Sequence, residues 1–128
     1  MTTLFQRDRL TGGCLCGAVR FAIPAPRAFD VCHCSDCRRW HGGPAIGIDL
    51  TVVETLSGDE VVRWYDGGQG AERGFCGTCG SSLFYRRTGN DGRRSIYHGA
   101  LDAPPTSIPL GHQHFLDRKP ETYAIVRG

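Results

Sequence analysis

No apolar run in the chain is long enough to cross a membrane as a helix. The first ten residues interleave Arg7, Asp8 and Arg9 with isolated apolar positions, so they lack the uninterrupted apolar stretch of a signal peptide. A cytoplasmic address and no membrane partner are expected. A strong charge of one sign is also missing: 15 basic against 13 acidic residues leave a formal +2, which gives no support to a nucleic-acid partner. Lys119 is the only lysine, and the pairs Arg38-Arg39, Arg86-Arg87 and Arg93-Arg94 read as solvated surface. Repeats of solenoid length and convincing linkers are absent, so residues 1–128 are expected to form a single domain.

At that length the chain buries roughly two-thirds of the surface it would expose unfolded. Apolar residues make up 40% of it, and 18 glycines describe a loop-rich globular domain that would benefit from stapling. Seven cysteines are present. In a reducing compartment that odd number suits metal better than disulfides. Seven thiolates and two divalent zinc ions would turn the formal +2 into −1.

Alternation at Val19, Phe21 and Ile23, ended by Pro24 and Pro26, predicts a half-buried strand. The same period returns at Ile46, Ile48 and Leu50, and residues 60–65, 82–86 and 95–98 are rich in β-branched or aromatic types. One helical turn is predicted from Ser35 or Asp36 through Trp40 to Gly42-Gly43, and a second short turn over residues 102–106. The fold class is therefore mainly β, with residues 111–128 closing the domain.

Cys14-Leu15-Cys16 puts two sulfurs on one face of an extended backbone, and Cys76-Gly77-Thr78-Cys79-Gly80 has the form of a zinc-knuckle turn. Together Cys14, Cys16, Cys76 and Cys79 predict a closed, structural zinc site joining segments about sixty positions apart. Paired buried thiols without metal and a redox dithiol at Cys76 and Cys79 are the weaker readings. No helical pattern follows the pair, as a redox dithiol would require.

Cys32-His33-Cys34-Ser35-Asp36-Cys37 carries the second set. Cys32, Cys34 and Cys37 would leave one tetrahedral position of a second zinc free, which is the mark of a catalytic site. His33 faces away if the backbone is extended there, and a hydrogen-bonded or packing role suits it better than ligation. His112 or His114 could supply an acid, a base or a fourth ligand, or be structural. Zinc held by three thiolates carries a formal −1 and acidifies water weakly, so a substrate thiolate is a better fourth ligand than a hydrolytic water. The His-x-Glu or Cys-x-Glu and Pro-Cys-x-x-Cys elements of zinc deaminases are missing.

Three stretches carry a resemblance: Gly12-Gly13-Cys14-Leu15-Cys16-Gly17-Ala18-Val19-Arg20-Phe21, Cys32-His33-Cys34-Ser35-Asp36-Cys37-Arg38-Arg39, and Arg73-Gly74-Phe75-Cys76-Gly77-Thr78-Cys79-Gly80-Ser81. With Gly99-Ala100-Leu101-Asp102 and the histidine-containing tail, they resemble the glutathione-dependent formaldehyde-activating enzyme family, which includes the centromere protein V type. The resemblance implies a β-tent of antiparallel sheets stapled by zinc, similar to the zinc-binding Rab exchange cofactors. It implies structural zinc on Cys14, Cys16, Cys76 and Cys79, and catalytic zinc on Cys32, Cys34 and Cys37. The implied activity is carbon-sulfur lyase chemistry, in which glutathione and formaldehyde combine to S-hydroxymethylglutathione. A small-molecule thiol is then the partner, with Arg38, Arg39 or Arg73 available for its carboxylates. Residues 67–72 are similar to a family loop near the open zinc, and at residues 121–123 the tail lacks the family's usual tryptophan. The alternatives are a zinc enzyme acting on another small electrophile and a non-catalytic, zinc-stapled binding module.

Overall fold

Short strands separated by glycine turns build two sheets in the computed structural model, which describes residues 9–89 and 93–125, Leu50 and Thr51 by their backbone alone. The first residues of the N-terminal stretch and the end of the closing tail lie outside these ranges. Strands β1 (Leu10–Gly13) and β2 (Arg20–Ile23) form a hairpin, and β5 (Glu54–Ser57) pairs with β2 to complete a three-stranded antiparallel sheet. The larger sheet holds β3 (Phe29–Cys32), β4 (Ala45–Val52), β6 (Val62–Asp66), β7 (Ala71–Cys76), β8 (Ser82–Arg87), β9 (Arg93–Tyr97) and β10 (Leu110–His114). Its spatial order is β10-β3-β4-β9-β8-β7-β6. The mainly β class is as expected, with one difference. β10 lies parallel to β3, so the larger sheet is mixed.

The core lies between the sheets. Phe21 and Ile23 of the small sheet, with Val19 just before it, meet Ile48, Val62, Leu83, Phe84 and Ile96 of the large one, and Phe21 stands edge-on to Phe84 with ring centres 5.3 Å apart. Gly12 permits a close approach here: a Cβ would lie 2.4 Å from the Ala100 carbonyl oxygen and 2.7 Å from the Phe21 ring.

Helix α1 (Ser35–His41) follows β3 directly and ends at Gly42, whose left-handed backbone (φ 76°) sends its N–H to the Arg38 carbonyl. The span matches the expected helical turn, but the cap is Cys34 rather than Ser35 or Asp36, because the Cys34 sulfur accepts the Cys37 N–H. Trp40 fixes the helix to the large sheet, donating its indole N–H to the Ser82 hydroxyl at 2.8 Å. Two boundaries differ from expectation. Residues 59–61 form a 3-10 turn, so that strand begins at Val62, and the later turn lies at His98–Ala100 rather than over 102–106.

The basic pairs are not simply solvated. Arg86 covers the Trp64 ring at 3.7 Å and pairs with Glu72 at 3.0 Å. Arg94 pairs with Asp59 at 3.5 Å, and Arg38 donates from Nε to the His33 carbonyl at 3.1 Å.

Candidate metal centres

Cys14 and Cys16 occupy the turn of the β1–β2 hairpin rather than an extended segment, so convergence of their sulfurs comes from the turn and from Gly17 at φ 82°. The sulfurs are 3.6 Å apart, and that of Cys16 lies 3.9 Å from Cys76. A tetrahedron with zinc–sulfur bonds of about 2.3 Å has edges of about 3.8 Å, so these spacings fit a tetrahedral metal. Cys76 ends β7 and Cys79 lies in the turn toward β8. The N–H groups of Thr78 and Cys79 donate to the Cys76 sulfur at 3.3 and 3.4 Å, and the Val19 N–H to that of Cys14 at 3.2 Å. Donors aimed at sulfur favour the thiolate that a metal needs. The Ser81 hydroxyl, 3.1 Å from the Cys79 sulfur, does the same, holding that thiol down to about 5. Gly77 is required sterically, since a Cβ there would lie 2.8 Å from the Val61 carbonyl oxygen.

The second set is assembled by the β3–α1 junction. Cys32 ends β3, Cys34 caps the helix by accepting the Cys37 N–H at 3.3 Å, and Cys37 is buried in the first turn. The sulfurs of Cys32, Cys34 and Cys37 all lie within 4.8 Å of one another, as do those of the four-thiol set. A hydrogen bond with Cys32 and burial push the Cys37 thiol up, while the same bond holds the Cys32 thiol down. Sulfurs this close cannot ionise together unless a cation sits among them, so the donor set fits a metal. Among the described residues no histidine, aspartate, glutamate or further cysteine joins this cluster.

His33 is fully buried and turned away from the sulfurs. Its Nε2 lies 2.9 Å from Gln113 Oε1 and its Nδ1 2.8 Å from the Tyr123 hydroxyl, over whose ring it stacks. With Oε1 as acceptor, Nε2 carries the proton and Nδ1 receives the hydroxyl's. Both nitrogens are engaged. The role is to hold the tail against the β3–α1 junction, the hydrogen-bonded and packing role expected of it.

A cavity of about 490 Å³ opens beside the three thiols, with Arg73, Tyr85, Tyr97 and His114 also in its wall. Gly67, Gln69 and Ala71 line it too, which places the glycine-rich residues 67–72 beside this centre as expected. Of the histidines named from the tail, His114 lines the cavity and lies 3.7 Å from Asp30, whereas His112 is not in its wall. Of the three arginines named for carboxylates only Arg73 lines it, and it is spent differently: its Nη2 lies 3.6 Å from the Cys37 sulfur. Arg87 and Arg118 are the other cavity arginines. Sequence reasoning passed over Tyr85, Tyr97, Gln113 and Tyr123. In a strand a tyrosine toward a cavity and one toward the core give the same alternation.

The family model described as glutathione-dependent formaldehyde-activating enzyme matches residues 9–117. The chain belongs to that family. A Schizosaccharomyces pombe protein named an uncharacterized lyase is 32% identical over 114 residues, covering 88% of this chain and 82% of that protein. A Halomonas elongata protein, provisionally named a glutathione-dependent formaldehyde-activating enzyme, is 41% identical over 85 residues; the match covers 59% of this chain and 54% of that protein. A crystal structure of a Rhodobacter sphaeroides protein superimposes with a TM-score of 0.59 at 26% identity, covering 80% of this chain and all of that one. Tyr123, which clasps His33, lies beyond the matched residues.

Proposed function

We propose that the protein is a zinc-dependent carbon-sulfur lyase acting on the adduct of a small thiol and an aldehyde, with glutathione and formaldehyde the first pair to test. The observation that carries this reading is the three-thiol set in the wall of a cavity, with no fourth protein donor in its cluster among the described residues. Cys14, Cys16, Cys76 and Cys79 would hold a structural zinc, and Cys32, Cys34 and Cys37 a second one open to the cavity. Zinc held by Cys32, Cys34 and Cys37 would supply a soft Lewis-acid position that favours the ionised form of a substrate sulfur.

The chain's own residues do the rest. In the forward direction a carbon–sulfur bond forms, the carbonyl π pair moves to oxygen, and the proton lost by the thiol ends on that oxygen, with no change of oxidation state. The cavity wall brings thiol and carbonyl together, a gain in proximity. Tyr97, whose hydroxyl is pushed up by burial and by Cys37, keeps its proton and serves as a hydrogen-bond donor to the oxygen. His114, partnered by Asp30 and 44% exposed, connects cavity to solvent and moves the proton. Arg87 and Arg118 can take the thiol's carboxylates.

NMR exchange spectroscopy tests the reading. The zinc-loaded protein should exchange formaldehyde with its glutathione adduct faster than enzyme-free buffer does. Exchange at the buffer rate would sink the glutathione version.

A further inference from the structure

We propose that Arg73 is a positioning residue that sets the charge of the three-thiol centre, so that an anionic sulfur is accepted there; this rests on the reading of that centre as open. Arg73 sits in β7, register-paired with Tyr65 on one side and Tyr85 on the other. Only 8% of it is exposed. Its guanidinium lies 5.8 Å from the Tyr85 ring centre, its Nη2 3.6 Å from the Cys37 sulfur, and its Nε is buried without a hydrogen-bond partner.

A buried guanidinium needs an anion. Among the described residues no carboxylate forms an ion pair with Arg73, and adjacent Glu72 is committed to Arg86. With a metal bound among the three thiols, the Cys37 thiolate, 3.6 Å from Nη2, would be the anion within reach. Three thiolates around a divalent zinc total −1, and Arg73 brings the assembly to zero. A fourth thiolate then makes −1 instead of the −2 that a half-buried site would resist. Arg73 therefore favours an anionic fourth ligand over a neutral one without touching the reacting carbon.

This account separates from the simpler idea that Arg73 grips a substrate carboxylate. Charge compensation acts on every thiolate, whereas a carboxylate grip acts only on thiols that carry a carboxylate. The experiment loads both sites with cobalt and titrates glutathione, 2-mercaptoethanol and imidazole, following the thiolate-to-cobalt charge-transfer band or, for imidazole, the cobalt ligand-field bands. Wild type, Arg73→Gln and Arg73→Lys are compared, with the bands of the four-thiol site reporting that each variant is folded. Arg73→Gln should bind both thiols weaker by about tenfold to a hundredfold, from losing one nearby charge. Imidazole affinity should change little, and Arg73→Lys should recover most of the thiol affinity. Loss of cobalt from the three-thiol site in the Gln variant but not in the Lys variant would support the same role. Loss in both, a fall for glutathione alone, or unchanged thiol affinity would each overturn it. A wild-type protein that binds neither thiol would instead remove the open-site reading beneath it.

Discussion

At the scale of single residues, the histidine that the cysteine-rich motif offers as a metal ligand is spent on the tail. His33 is held on both ring nitrogens, by Gln113 and Tyr123. Both partners are 80 or more positions away in the chain, and no spacing rule connects them. Only the direction of the side chain was readable, because neighbouring residues of a strand point to opposite faces. Tyr123→Phe removes the hydroxyl and leaves the buried Nδ1 unpartnered, so it should cost about 1–2 kcal/mol of stability. Denaturant unfolding at saturating zinc checks this. An unchanged midpoint would mean that the Tyr123 hydroxyl contributes nothing to the β3–α1 junction.

At the scale of elements, the two cysteine sets belong to different kinds of structure. The four-thiol set joins two hairpin turns from opposite sheets, and the three-thiol set lies on one β-to-α junction. A metal in the first would tie distant segments together and so contribute directly to folding; a metal in the second orders only local chain. Cys14→Ser or Cys79→Ser should therefore abolish the cooperative thermal transition. Cys34→Ser or Cys37→Ser should keep it while losing the more labile zinc, and calorimetry beside metal analysis reads both. Equal loss of fold in the two groups would contradict this division.

The same elements show what the sequence could and could not disclose. β2 was legible from the alternation of its large apolar residues Phe21 and Ile23, and β8 from its run of apolar and aromatic residues Leu83, Phe84 and Tyr85. β1, with Leu10-Thr11-Gly12-Gly13, was not, since Gly12 is there to let Ala100 and Phe21 approach, and Gly13 to let Val19 and Arg20 approach, rather than to fill a core. β7 was obscured similarly: at Gly74 a Cβ would lie 2.9 Å from the Trp64 ring. β10 carries Gly, His and Gln because it is a sheet edge whose side chains clasp His33 and line the cavity. The cysteine spacing announced both clusters, although the Cys14 to Cys16 approach comes from a turn and not from a strand. Arg73 was visible as a charge near Cys76, yet its contact with Cys37 needs the tertiary fold.

At the scale of the whole molecule, two sheets share one core, and the four-thiol set bridges them at one end of it, where Cys14 and Cys76 are part of the packed cluster. Tyr97 also lines a second cavity of about 530 Å³, which borders Cys14 and His41. It contains none of Cys32, Cys34 and Cys37, so the lyase reading places substrate in the cavity beside the three thiols. No helix among the described residues is long and apolar enough to cross a membrane.

The central claim is one closed and one open zinc in a single chain. A crystal structure of the zinc-loaded protein with glutathione, phased on the zinc anomalous signal, tests it most directly. The account predicts two zinc peaks per chain, one ringed by Cys14, Cys16, Cys76 and Cys79 and the other by Cys32, Cys34, Cys37 and the glutathione sulfur. A single peak, or a fourth protein ligand completing the second site, would contradict it.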